Sequence, residues 1–318
     1  MVKNLDKLVE VLVERAKELG KGCKKVFVAV SGGVDSSTVA AILCKAYGQD
    51  DVVGLYRDIR SNPKHFQDVQ SLQRVLGFRL IELNLNVVYD DIIDQLHRNF
   101  LAANLPWAVE GEAKADISGF TSAYASLKSC LTTPIASFIA KAIDSGNGRI
   151  FGTGNGEEDG LLRYFDKRGD GAVDNNILNG LTKAEVRQIA RQLGVPECII
   201  TKKPSADLEA NGDIHNDEDQ LTAWAMAMGY DIKLSYGAPD GSTEGNIAWA
   251  WKEDISRGVI SDTQSDLTPD QLQKNFSYTD EQVQLIQFLR QIEAKTRHKI
   301  EPIPGLDRGE LYRQGLVQ

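Results

Sequence analysis

The chain has 318 residues, of which 42% are hydrophobic and 25% charged, and its formal net charge is −9 at pH 7. This is an ordinary globular composition, long enough for one large domain or for one domain with an appendage. The acidic balance argues against a nucleic-acid partner, whose phosphates need basic patches. The four cysteines, Cys23, Cys44, Cys130 and Cys198, show neither metal-ligand spacing nor a disulfide framework, and predict a reducing, cytoplasmic setting.

The first predicted element is an amphipathic helix with Leu5, Leu8, Val9, Leu12, Ala16 and Leu19 on one face. Its acids and its lack of a continuous apolar run separate it from a signal peptide, and no later stretch is long and apolar enough to span a membrane. Next comes Val26–Val30, an apolar, β-branched run that reads as a strand buried on both faces. It leads into Ser31-Gly32-Gly33-Val34-Asp35-Ser36-Ser37, where two glycines allow a sharp turn and close approach to a ligand. Ser36 and Ser37 open a helix whose apolar positions Val39, Ile42, Leu43 and Ala46 recur at helical spacing. Free N–H groups and serine hydroxyls at such a helix start suit phosphate oxygens. Asp35 cannot serve an anion directly, and a Mg²⁺ between it and the phosphates explains its place. The alternative reading is a plain Gly-Ser turn. The loop is neither a Walker A motif, which needs Gly-Lys-Ser/Thr, nor a dinucleotide fingerprint, which needs a third glycine.

Strand and helix then alternate. Strands are predicted at Val52–Tyr56, Leu80–Leu85 and Arg149–Thr153, and helices at His65–Leu76 and Val88–Phe100. A helical segment from about Gly119 to Ser145 contains Pro134, which is expected to break or kink it, with Thr133 as a cap for the restarted part. Repeated β-α-β units imply a doubly wound parallel α/β sheet, whose ligands bind at the carboxyl ends of strands. Gly156 to about Ile214 reads as loop-rich around a helix at Lys183–Leu193, and helix resumes at Asp217. The polar stretch 236–268 is either a lid or a surface insertion within one domain spanning 1–318, and Asp280–Thr296 forms a final helix.

A second constellation follows the fourth strand: Gly152-Thr153-Gly154-Asn155-Gly156-Glu157-Glu158-Asp159. Thr153 offers a hydroxyl, and the acids offer hard oxygen ligands for Mg²⁺. The bland reading is a solvated acidic turn. Lys183 is either a surface lysine or a positive charge for a leaving pyrophosphate.

The SGGVDSS stretch resembles the pyrophosphate loop of the ATP pyrophosphatase superfamily. Taken with GTGN-x-x-E-D, RGDGAVD, LTKAEVRQIARQLGVP, KKPSADL, NDED and the terminal Arg297-His298-Lys299 followed by Pro302, the chain looks like a NAD synthetase. The resemblance covers most of residues 24–230 and resumes around 280–304. It implies an adenine nucleotide alpha hydrolase-like fold with a helical carboxy-terminal appendage, a homodimer, and conversion of deamido-NAD to NAD by ATP and ammonia. It places ATP on Ser31, Gly32, Gly33, Val34, Asp35, Ser36, Ser37, Thr153, Lys183 and Ser205, with Mg²⁺ on Asp35 and Glu158. It places the nicotinate substrate near Lys167, Asp170, Asp174, His298 and Lys299. Asp35 and Lys183 are the expected catalytic residues. With 318 residues there is no room for a glutamine-hydrolysing domain, so free ammonia is expected.

The sequence departs from the family in two places. One extra residue lies between Glu158 and Asp170, which leaves Glu158 or Asp159 as the metal ligand. The helix before the fourth strand carries Ser126-Leu127-Lys128-Ser129-Cys130-Leu131-Thr132 where the family has an Asn-x-Lys-x-Arg-x-Arg run, so only Lys128 remains. The rivals are an ATP pyrophosphatase with another acceptor, such as nicotinate mononucleotide, and a non-catalytic nucleotide-binding regulator. The helix face Phe120, Ala123, Tyr124, Leu127 and Leu131 suits either a partner helix or burial within one subunit.

Overall fold

The computed structural model describes residues 2–105, 123–205, 216–301, 308, 313 and 314. Its frame is a parallel sheet built from β1 (Val26–Ala29), β2 (Val52–Asp58), β3 (Arg79–Asn84), β4 (Arg149–Gly152) and the short β5 (Asn175–Asn176). The strand order is β3-β2-β1-β4-β5. Val26 pairs with Val52 on one side and with Arg149 on the other, so β1 is central. The chain winds outward from β1 to β3, then crosses back to β4 on the other side of β1. The order therefore reverses between β1 and β4, and that switch point is where a doubly wound sheet binds its ligand.

Alternation along the central strands sends side chains to both faces. Val26, Val28 and Val52 join a core with α1 (Leu5–Leu19), α2 (Val34–Tyr47), α3 (Pro63–Leu76), α6 (Lys183–Gln192) and the short α7 (Glu197–Ile200). Phe27, Val53 and Leu55 meet Ala136, Ile139 and Ala140 of α5 (Ala123–Ile143) on the opposite face. This double burial is why the strands read as apolar runs. Between β3 and α5 lies α4 (Asn86–Ala102).

Helix α5 departs from expectation. It runs unbroken through Pro134, and its packing on β1 and β4 holds it across the hydrogen bond that proline cannot donate. Thr133 caps nothing; its hydroxyl donates to the carbonyls of Arg168 at 2.7 Å and Gly169 at 3.1 Å. Residues 119–122, including Phe120 of the suggested partner face, lie outside the described residues. On that face Tyr124, Leu127 and Leu131 are half-buried and Ala123 is exposed.

A second core forms beyond β5. It joins Leu161 and Leu162 to α8 (Asp217–Ala227), α9 (Asn246–Arg257), α10 (Pro269–Phe276) and α11 (Asp280–Thr296). The stretch 236–268 therefore holds a helix and supplies the buried residues Tyr236, Ile247, Ala250, Val259 and Ile260. Arg290 of α11 clamps it by donating to the carbonyls of Val259, Leu267 and Gln264 at 2.8, 2.7 and 3.0 Å. No described helix is long and apolar enough to cross a membrane.

Candidate active site

The site starts where β1 ends. Gly32 has φ +77°, a conformation open chiefly to glycine, and a Cβ there would meet the His65 carbonyl at 2.6 Å. Gly33 is the N-cap of α2 and supplies no side-chain cap. The first-turn N–H groups of α2 therefore face outward, which is the arrangement that receives an anion. Ser36 Oγ accepts from the Ser31 N–H at 3.1 Å and lies 3.1 Å from Ser31 Oγ. Ser37 is fully buried and its hydroxyl donates to the Gly33 carbonyl at 2.7 Å. Ser37 thus shapes the loop from within, whereas Ser31 lines the crevice.

The acidic segment after β4 is a π-helical turn, Gly156–Leu162. Such a turn takes up one residue more than α geometry, and it lies in the interval where one extra residue was expected. Asn155 caps it: Oδ1 accepts the N–H groups of Glu157 and Glu158, both at 3.0 Å. Its Nδ2 donates to Asp35 at 3.2 Å and to Glu158 at 2.9 Å, aligning the two carboxylates. A Cβ on Gly156 would stand 2.0 Å from the Trp251 ring, so α9 packs directly against this turn.

Lys183 completes the centre. Thr182 and Glu185 form a capping box that starts α6 at Lys183. The Lys183 backbone N–H donates to the buried Glu157 carboxylate. The Lys183 ammonium lies 2.5 Å from Asp35 and 2.6 Å from Glu158. Burial disfavours the charge on Lys183, but the Asp35 and Glu158 carboxylates outweigh it and hold its pKa above the ordinary value. The Tyr236 ring stands 5.6 Å from the same ammonium. Burial likewise pushes the Glu157 carboxyl up to about 8, with the Lys183 N–H pulling against it. Asp159 also lines the crevice but accepts from Asn176 at 3.0 Å rather than from Lys183; burial raises the pKa of both Glu158 and Asp159 above the ordinary value. Of the two candidate ligands, Glu158 is therefore the one that converges with Asp35. Among the described residues no three His, Cys, Asp or Glu side chains form a metal-ligand group.

The crevice in front of this centre is lined by Ser31, Gly33, Val34, Asp35, Ser36, Thr153, Glu158, Asp159, Asp170, Lys183 and Ser205 among the expected residues. Ser205 is followed at once by residues outside the described set. Gly32, Ser37, Lys128, Lys167, Asp174, His298 and Lys299 do not line it. Lys128 is buried. The Lys167 ammonium donates to the carbonyls of His298 at 2.6 Å and Glu301 at 3.0 Å. Lys299 donates to those of Arg163 at 3.0 Å and Phe165 at 2.7 Å. Asp174 accepts from the Ile150 N–H at 2.7 Å, and the exposed His298 has Nδ1 3.0 Å from the Lys295 carbonyl.

Three cations in the lining, Arg57, Lys202 and Lys203, escaped sequence reasoning. Arg57, at the carboxyl end of β2, bonds the Thr132 hydroxyl through Nε. Its strand-end position was the available signal. Lys202 lies in the crevice wall between Asp68, His65 and Gly32. Nothing in the spacing of the KKPS block marks it.

The model of the NAD synthase family matches residues 4–226. An NH(3)-dependent NAD(+) synthetase from Pyrococcus furiosus is 34% identical over 218 residues, covering 69% of this chain and 74% of the relative. One from Finegoldia magna is 32% identical over 220 residues, covering 69% and 80%. Among solved structures, the NMN synthetase from Francisella tularensis and the NH3-dependent NAD synthetase from Campylobacter jejuni each align with a TM-score of 0.61. They are 19% and 17% identical, and each alignment covers 96% of this chain and all of the other. At those identities the two structures establish a shared fold. The sequence match runs from α1 into α8 and so takes in the glycine loop, the acidic turn and Lys183, and by it this chain belongs to the NAD synthase family.

Proposed function

We propose that the protein makes NAD from deamido-NAD, ATP and ammonia. The observation that carries this reading is the convergence of Asp35, Glu158 and Lys183 beside the open start of α2. In the first step the nicotinate carboxylate oxygen attacks the α-phosphorus of ATP. The P–O bond to the β-phosphate breaks, giving an acyl adenylate and pyrophosphate. In the second, ammonia adds to the acyl carbon, AMP leaves with the C–O bond pair, and nitrogen loses a proton to give the amide.

Little covalent work falls to the protein; orientation and charge stabilisation dominate. The first-turn N–H groups of α2, with Ser31, Gly32, Gly33, Val34 and Ser36, cradle the phosphates, and buried Ser37 holds the loop shape. Thr153 and Ser205 add hydroxyls from the crevice wall. Lys183 stabilises charge on the departing pyrophosphate. Asp35 and Glu158 would hold a Mg²⁺, because Asn155 and Lys183 bring these two hard carboxylates side by side in the crevice wall. Bound there, the ion supplies Lewis-acid neutralisation of the phosphates.

The acceptor occupies the end of the crevice toward Asp170, with Arg57 as its facing cation. Family resemblance adds Lys128, Lys167, Asp174, His298 and Lys299 to that side. It also supports a homodimer, for which α5 offers Tyr124, Leu127 and Leu131, while the scattered cysteines fit a cytoplasmic setting. The test supplies ATP, Mg²⁺ and ammonium with deamido-NAD or nicotinate mononucleotide and follows AMP. Formation of AMP and NAD from deamido-NAD is expected. Turnover with the mononucleotide alone would reassign the acceptor, and no AMP with either would leave a regulator.

A further inference from the structure

The glycine loop poses a problem that its own sequence does not solve. A Gly-Gly peptide has little steric preference, so its plane can turn over and reverse the direction of its N–H. Because the peptide is planar and trans, the Gly32 carbonyl and the Gly33 N–H point opposite ways. The Gly33 N–H lies on the crevice side, donating to Ser31 Oγ at 3.3 Å. The Gly32 carbonyl points away from that N–H and accepts from the Lys202 ammonium at 3.2 Å.

Lys202 is itself fixed at that spot. Its ammonium lies 2.8 Å from Asp68 Oδ2 and 2.7 Å from His65 Nδ1. An ammonium has three donors and no acceptor, and these three partners match the three donors. His65 Nδ1 must then accept, which places the imidazole proton on Nε2. Asp68 and His65 are buried on α3, so the lysine joins the loop to a rigid helix.

We propose that Lys202 is a positioning residue for the phosphate loop, holding the Gly32–Gly33 peptide so that the Gly33 N–H faces the anion. This rests on the ATP-dependent reading above. Lys183 meets Asp35 and Glu158, while Lys202, elsewhere in the same crevice wall, touches the loop carbonyl.

The experiment uses Lys202→Met, which keeps the chain length and removes the ammonium. Steady-state kinetics give KM for ATP and for deamido-NAD, and calorimetry gives the Kd of inorganic pyrophosphate. We expect KM for ATP and the pyrophosphate Kd to rise by about tenfold or more, with KM for deamido-NAD within about threefold. In ligand-free protein labelled with ¹⁵N-glycine, the Gly33 amide signal should move. Asp68→Asn, which keeps the ammonium but loosens its anchor, should shift the same quantities by less, and it serves if Lys202→Met does not fold. A folded variant with unchanged ATP KM and pyrophosphate Kd would overturn the proposal. So would an equal rise in both substrates' KM, or an unmoved Gly33 signal, which would place Lys202 on the phosphates directly. If wild type binds pyrophosphate but makes no AMP with any nicotinate acceptor, the proposed reaction fails while the loop role is still decided by the binding arm.

Discussion

The loop end of the crevice and the segment 163–174 with 297–301 use their charged side chains in opposite ways. At the loop end, Lys183 meets Asp35 at 2.5 Å and Glu158 at 2.6 Å in the crevice wall. In the other region, Lys167 and Lys299 donate to backbone carbonyls and stitch two chain segments together. The difference follows from what carries each group. Strand ends and helix starts are fixed by the sheet, so their side chains can stay charged and aimed at a ligand. The second region is loop, and its carbonyls need donors that a sheet would otherwise supply.

The largest expected effect tests the first half of this contrast. Asp35→Asn should abolish AMP formation, about 10³-fold or more, with the fold retained, because it removes a charge where phosphate and Mg²⁺ are to be held. Near-normal turnover at saturating Mg²⁺ would sink that role. Lys183→Ala should lower the adenylation rate by about 10²–10³, the usual loss for one contact to transition-state charge. A change confined to KM for deamido-NAD would place Lys183 on the acceptor instead.

Lys299→Met probes the second half. One buried and one part-buried carbonyl lose their donor, so unfolding free energy should fall by about 1–3 kcal/mol, read by denaturant titration. If stability holds and KM for deamido-NAD rises instead, Lys299 belongs to the acceptor site as family resemblance has it. Lys167→Met should cost least, under about 1 kcal/mol, because water can reach the carbonyls it leaves. A larger acceptor-KM effect than stability effect there would erase the contrast between the two regions.

How far the site was legible depended on the element bearing each residue. The strand-loop-helix around Gly32 and Asp35 was readable because buried parallel strands are apolar throughout and helix starts carry small polar residues. The choice between Glu158 and Asp159 was not readable, since it depends on a π-helical turn that shifts which acid faces Asp35. Pro134 misled for a related reason. Local chemistry breaks a helix at proline, but α5 packs on the sheet along Ala136, Ile139 and Ala140 and stays continuous. The stretch 236–268 reads as a lid or a surface insertion because it is polar and holds several glycines, yet Tyr236, Ile247 and Ala250 close the second core.

By itself the sequence determined the parallel α/β frame, the place of the phosphate loop and the family, because these depend on local periodicity and on short runs of residues whose chemistry is carried in order. Only the tertiary structure decided which charges meet. Asp35 and Lys183 are 148 positions apart, and Lys202 and Gly32 are 170 apart. No local pattern records such pairings; they exist because β1, β4, α3 and α6 bring their ends to one crevice.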